Sequence, residues 1–416
     1  MTRTALITGA GIAGEVAAWW LARFGWRCTV IERSSELRTQ GQNIDVRGAA
    51  REVLRRMPSG GFDGRTPART VDDEVGDRST GEVGTRFVDG DDTPLAEFPA
   101  GESDTDGATA EREILRGQLA ELLFERTRGD VDHRFGLTVL RCEEAPDGLD
   151  VTFSDGSSER FDVLLVAEGV GSTTRRRVFG DTAERRALGL TMGYYSVARA
   201  PEDDDWWNWY NAPDGRSVTT RPDNVGRTRV TLSFRSDDRH DELSRDEQKL
   251  MLRDRFAGAG WRTERLLAGL DVADDLYLED LGQIVSPTWS SGRVALLGDA
   301  AWCATPVSGM GTSLAIVGGY VLAGELAAHV HHRDGFAGYE RILRPYVEQA
   351  QKLPPGTPQV VHPRSAIGLG VLRTALRVAG SAPVKAVSGG LISPPADKID
   401  LPDYAHLIPV DGNSAR

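Results

Sequence analysis

The chain has 416 residues, 40% of them hydrophobic and 27% charged, which is enough for two or three domains with sizeable cores. A formal net charge of −13 argues against broad binding to nucleic acid or anionic membrane, since both need basic surface. The three cysteines, Cys28, Cys142 and Cys303, lie far apart, so they suggest neither a disulfide framework nor a zinc site and point to a cytoplasmic setting.

The first residues run into an apolar strand, Thr4–Thr8, with no cleavable signal pattern ahead of it. It ends at Gly9-Ala-Gly11-Ile-Ala-Gly14. A helical segment, Glu15–Phe24, and a second strand, Cys28–Glu32, follow, which puts an acid 18 positions after the last glycine. The glycines serve different ends. Gly9 allows a tight turn, Gly11 allows close backbone approach to a pyrophosphate, and Gly14 allows helix–strand packing. Ile12 and Ala13 open the helix, and Glu32 is placed to accept adenosine ribose hydroxyls. The alternatives are an ordinary Gly-rich turn and a structural buried acid. Arg33 reads either as an adenine-side contact or as a solvated charge. The polar, Gly-flanked stretch 41–48, with Gln42, Asp45 and Arg47, suits the ribityl–pyrophosphate part of a cofactor, or equally a surface loop.

Residues 58–110 read as loops and edge strands, and Glu111–Phe124 as an amphipathic helix with Ile114, Leu115, Leu119, Leu122 and Leu123 at helical spacing. Strands at 137–140, 149–153 and 158–161 lead to the fully apolar Val163–Ala167, followed by Glu168-Gly169. From 188 to 276 the pattern becomes antiparallel, with strands at 191–199, 206–211, 217–221 and 229–235 and a helix at 242–256. Trp207 and Trp209 alternate on one strand face. They form either a wall for a flat substrate or ordinary aromatic packing.

In the last third a strand at 294–297 meets Gly298-Asp299, and a loop with Pro306 runs into Gly309-Met310-Gly311-Thr312 and an apolar helix. A carboxylate at a strand end, ahead of a helix N-terminus, suits a long polar ligand. Helices are expected at 320–330 and 337–352, ending at Pro354-Pro355, and another at 366–379. Ala366–Ser393 comes nearest to an uncharged membrane-length run, but Arg373, Arg377 and Lys385 interrupt it.

Three separated motifs stand in order: Gly9–Gly14 with Glu32-Arg33, Asp162–Arg175, and Gly292–Gly311. On these the chain resembles the FAD-dependent aromatic hydroxylases (class A flavoprotein monooxygenases, para-hydroxybenzoate-hydroxylase-like), especially the tetracycline-modifying and polyketide-tailoring branches. The resemblance implies an α/β fold. A Rossmann-like FAD-binding domain (GR2-type) would be discontinuous over 1–70, 100–180 and 281–350. An antiparallel substrate domain would cover 71–99 and 181–280, with a helical C-terminal segment at 351–416. It implies a cytoplasmic monomer or weak homodimer, with FAD, transient NAD(P)H and O2, hydroxylating a small aromatic or polycyclic molecule through a flavin C4a-hydroperoxide. The flavin carries the chemistry, and no protein residue is assigned as catalytic.

The resemblance places Arg116 against the flavin, Asp299 on the ribityl hydroxyls, and Pro306 with Gly309–Thr312 near the pyrimidine end of the ring. Three positions depart from the family pattern. Glu168 replaces Asp before Gly169, Trp302 replaces His after Gly-Asp-Ala-Ala, and Met310 replaces Gln. Trp302 joins Trp207 and Trp209 as expected substrate contacts. A second reading, motivated by the same departures, is an FAD-containing cyclase whose flavin is structural. A third is a flavin-binding protein that sequesters its ligand.

Overall fold

The computed structural model of the protein describes residues 2–58, 69–100, 112–240, 242–353, 361–380 and 399–409. Glu111, the expected helix start, and Pro354-Pro355 lie outside these residues, as do parts of the expected 1–70, 100–180 and 351–416 units. Thr4–Thr8 is buried because it lies inside a six-stranded sheet, paired in parallel with Arg27–Glu32 on one side and Val163–Val166 on the other. The order is Ser290–Ser291, Val294–Leu296, Val163–Val166, Thr4–Thr8, Arg27–Glu32, Asp132–Phe135. Such strands are apolar throughout because both sheet faces are covered. Helices Ile12–Arg23 and Gly311–Ala328 pack together in this core, and the three-stranded meander Val139–Ala145, Gly148–Phe153, Ser158–Phe161 adds Val151, Phe153 and Phe161 to it. Gly311–Ala328 is long and apolar enough to cross a membrane, yet it is 72% buried inside the protein.

A second sheet of seven strands runs Tyr277–Val285, Glu184–Ala198, Arg227–Arg235, Arg216–Pro222, Trp207–Ala212, Gly84–Val88, Pro94–Pro99. Tyr195, Val197, Tyr210, Val218, Val230, Leu232 and Phe234 point from one face into a separate core, closed by Leu252, Phe256, Leu266 and Leu270. Those leucines and Phe256 come from helices Arg245–Phe256 and Thr263–Val272. Ser244 and Glu247 form a capping box that starts the first of these helices three residues later than its apolar spacing suggests.

Three expectations change. The helix read from residue 111 begins at Arg116 and runs to Thr127, because Glu113–Leu115 instead pairs as a strand with Asn43–Asp45. That ribbon satisfies the backbone groups and buries all three side chains, which helical spacing cannot distinguish from a helix face. The strand read from residue 191 starts at Glu184. Its charged beginning pairs with Gly282–Val285 across a bulge between Ala187 and Thr191. Finally, the helix Val71–Asp77 sends Val71 and Val75 into the first core, so the second sheet receives its N-terminal contribution only from Gly84 onward. The C-terminal helix Ala366–Ala379 buries only Leu369, while Tyr404 from the following segment inserts against the first core.

Candidate functional site

The glycine motif opens the 12–23 helix at the end of the first strand. Gly9 has φ +103, and a Cβ there would lie 2.5 Å from the Ala167 carbonyl oxygen. A Cβ on Gly14 would come within 2.1 Å of the Gly9 oxygen, so this glycine lets helix and turn touch. Gly11 differs. Its φ of −92 is ordinary, and a Cβ there would meet nothing within 4 Å. Open space lies over the amide groups of Ile12 and Ala13, the first-turn donors that a helix leaves without an internal partner. This is a cradle of the shape a pyrophosphate needs.

Glu32 accepts the Ala10 N–H at 3.2 Å and the Ser34 N–H at 3.0 Å, which holds its carboxylate beside the glycine turn. Arg33 beside it is exposed. The Gln42 carbonyl accepts the Arg116 N–H at 3.0 Å. Asp45 pairs with the fully buried Arg47 at 2.9 Å, and the Arg47 N–H reaches Ser313 Oγ at 3.3 Å. The 41–48 stretch is therefore a structured bridge to the start of the 311–328 helix.

At the other end, Asp299 starts a four-residue helix after Gly298, where a Cβ would lie 3.0 Å from Ala13 Cβ. Its carboxylate is open to solvent but ringed by protein. Burial raises its pKa, offset in part by a hydrogen bond from the Cys303 thiol and by the Arg116 guanidinium. Facing it from the second sheet is Glu279, pushed up to about 7 by burial and by Asp299, with Arg185 and Arg116 opposing. Met310 is fully buried, and its N–H is taken by Ser308 Oγ at 3.2 Å. Pro306 is exposed, Gly309 has φ +64, and Gly311 and Thr312 begin the long helix beside open space.

Two expected contacts take other roles. Both Glu168 oxygens are engaged within its own loop, by Ser172 Oγ at 2.7 Å, the Thr174 N–H at 3.0 Å and Thr174 Oγ1 at 2.5 Å. The side chain thus braces the start of the 173–179 helix, next to Gly169 at φ +78. Trp302, expected beside a substrate, is 1% exposed. Its indole N–H donates to Tyr339 Oη at 3.1 Å, its ring lies 6.0 Å from Trp289, and Gly318 leaves room for it. It is a core residue, because the short 299–302 helix turns that position inward.

Trp207 and Trp209 lie on the sheet face opposite the 245–256 and 263–272 helices. Their rings are 5.2 Å apart, and Trp209 stacks on Phe87 at 5.7 Å. Beside them is a charged cluster that sequence reading did not find. Arg221 lies over Trp207 at 4.2 Å and binds Glu82 at 2.7 Å and also Glu113, which accepts from Thr80 Oγ1 as well. The cluster joins the seven-stranded sheet to the two-stranded ribbon of Asn43–Asp45 and Glu113–Leu115, so only the β-pairing of Glu113 with Asp45 could have revealed it.

Burial, together with the Glu82 and Asp45 charges and only partly opposed by Arg221, pushes Glu113 up to about 8. The folded protein therefore keeps a proton that the unfolded chain releases in the usual glutamate range. The stability this contributes is complete below that range and is lost as pH rises through about 8. Glu113→Gln is expected to flatten this loss: urea midpoints of wild type and variant should diverge between about pH 5 and 8 and run parallel above, with the variant relatively more stable at the upper end. Profiles parallel over the whole range would refute the assignment.

A family model described as FAD binding domain matches residues 2–353. The FAD-dependent monooxygenase asL4 of Sarocladium schorii is 31% identical over 97% of this chain and 98% of its own length. The flavin-dependent monooxygenase eupH of a Phoma species is 33% identical over 97% of this chain and 98% of its own. Among solved structures, that of tetracycline destructase Tet(51) superposes with a TM-score of 0.77 at 28% identity, covering 97% of this chain and all of the other. With the glycine cradle, the Asp299 cleft and these relatives together, the chain belongs to the class A flavoprotein monooxygenase family and is an FAD-dependent enzyme of that kind.

Proposed function

We propose that the protein uses NAD(P)H and O2 to hydroxylate an aromatic or polycyclic small molecule held on the Trp207–Trp209 face. One observation carries this. Phe87 and Trp209 at one end and Tyr194 and Tyr277 at the other share one face of the second sheet, and Tyr277 lies within electrostatic reach of Arg116, Arg38 and Asp299. The likeness to a tetracycline destructase agrees with a substrate of several fused rings. When bound, FAD supplies two-electron redox chemistry and O2 activation.

The chain's own residues bind, orient and shield. Gly9, Gly11, Ile12, Ala13 and Gly14 hold the pyrophosphate, while Glu32 and Arg33 hold the adenosine. Gln42, Asp45 and Arg47 shape the wall between the two halves. Asp299 accepts ribityl hydroxyls beside Gly298, and Arg116 offsets its charge. Gly169, positioned by Glu168, keeps backbone approach open. Pro306, Gly309 and Met310 set the start of the helix whose Gly311 and Thr312 amides favour negative charge on the ring.

Rapid mixing of the FAD-loaded protein with NADPH or NADH, with and without anthraquinone- or phenol-type compounds, tests the proposal. Flavin bleaching followed by O2-dependent recolouring and an added oxygen in the product is the expected result. Product formed by the oxidised protein without O2 would point instead to the cyclase reading.

A further inference from the structure

Strand register fixes what the face opposite the 245–256 and 263–272 helices presents, in three rows, one end of which meets Val361 and His362 through Asn211 and Ser233. One row runs Phe87, Trp209, Thr219, Thr231, Tyr194, Tyr277. Two threonines thus floor a trough between an aromatic pair at one end and the Tyr194–Tyr277 stack, 6.2 Å apart, at the other. Trp209 and Tyr194 are three strand spacings apart, about 14 Å, room for several fused rings. A second row holds Asn211, Ser217, Ser233, Met192 and Glu279, in which Ser217 and Ser233 share a 2.8 Å hydrogen bond.

The remaining row is Trp207, Arg221, Arg229, Ser196. Each arginine in it is held by two carboxylates. Arg221 binds Glu82 and Glu113, and Arg229 binds Asp223 at 2.9 Å and Asp275 at 3.5 Å. Other cations near the face are also engaged. Arg373 reaches the Asn211 carbonyl at 3.5 Å, while Arg116, Arg38 and Arg185 stand at the Tyr277–Glu279 end, where Glu279 and Asp299 face them. A carboxylate arriving on this face meets arginines already neutralised by buried acids and, at its surface, the partly exposed Asp275 carboxylate, whereas an amine meets that carboxylate as an acceptor.

Resting on the substrate-face reading above, we infer that the trough selects uncharged or cationic polycyclic substrates and rejects carboxylates, with the acidic partners of Arg221 and Arg229 as the residues that set this preference. Glu113 reinforces it. A cation near Arg221 would draw off the proton that burial holds on Glu113, so cationic ligands gain as pH rises.

The test is equilibrium dialysis of the oxidised, FAD-loaded protein against three anthraquinones that differ only at C2: carboxylate, hydroxymethyl and aminomethyl. At neutral pH the carboxylate should bind about tenfold more weakly than the alcohol, and the amine at least as tightly as the alcohol. Glu82→Gln and Asp275→Asn should each narrow the carboxylate–alcohol gap, with flavin content reporting that the fold is intact. Asp275 is the safer variant, because its carboxylate is 15% exposed whereas Glu82 is 1% exposed. Equal binding of carboxylate and alcohol, or a gap unchanged in both variants, overturns the charge preference alone. If none of the three binds, the substrate-face reading falls and this inference falls with it.

Discussion

Gly11→Ala is expected to yield a stable protein that binds FAD about 10- to 100-fold more weakly, from the cost of forcing one methyl into a packed contact. Three glycines of one motif behave differently here. A methyl on Gly9 or Gly14 strikes backbone oxygen at 2.5 or 2.1 Å, so those variants damage the fold itself. A methyl on Gly11 strikes nothing in the protein, and its backbone angles suit alanine. Alanine there should hold or slightly raise the stability of the apo-protein by restricting the unfolded chain. What it obstructs is the space above the helix amides, where the pyrophosphate must approach. Thermal unfolding of the apo-protein and flavin titration, run side by side, separate the two effects. Full flavin content in Gly11→Ala would show that the cofactor passes elsewhere.

Trp302→Ala should remove about 3–5 kcal/mol of stability, the usual range for a large aromatic truncated in a closed core. Against a typical domain stability of about 5–15 kcal/mol, this leaves a marginal protein. Tyr339 retains a partner, since its hydroxyl also donates to the Leu296 carbonyl at 3.1 Å, so the loss comes mainly from the cavity between Trp289, Tyr339 and the 311–328 helix. Urea unfolding of the FAD-loaded protein measures it. Trp209→Ala, at a half-buried position on the sheet face, should lose far less stability and raise KM instead. A stable Trp302→Ala protein with weakened substrate binding would return that residue to the pocket.

The two tryptophan outcomes also mark where sequence reading reaches its limit. The glycine motif was legible because each of its demands is local: a positive φ, a close approach and an open space within six residues. The alternation of Trp207 and Trp209 was legible for the same reason, since period two defines a strand face. Trp302 was misplaced because its neighbours Gly298 and Asp299 do belong to the cleft, and only the direction of one helical turn separates them. Glu113 was hidden more deeply. Its strand partner lies near residue 45, its ionic partner at 221 and its hydroxyl donor at 80, so no window of sequence contains the environment that holds its proton. The polar opening of the 184–198 strand was missed because its partner, not its own pattern, makes it extended.

The first sheet draws its parallel strands from positions 4, 27, 132, 163 and 294, and the helix that follows the Asp299 loop begins at 311. During translation the glycine turn at 9–14 emerges well before its strand neighbour at 163–166 and the Asp299 loop. A nascent chain thus carries the glycine turn without the elements that complete the cleft until the helix beginning at Gly311 has emerged, and a ligand spanning the cleft can act as a template only from that point on. Cellular flavin supply should therefore govern how chains mature from there, and leave the shorter nascent chain on the ribosome untouched.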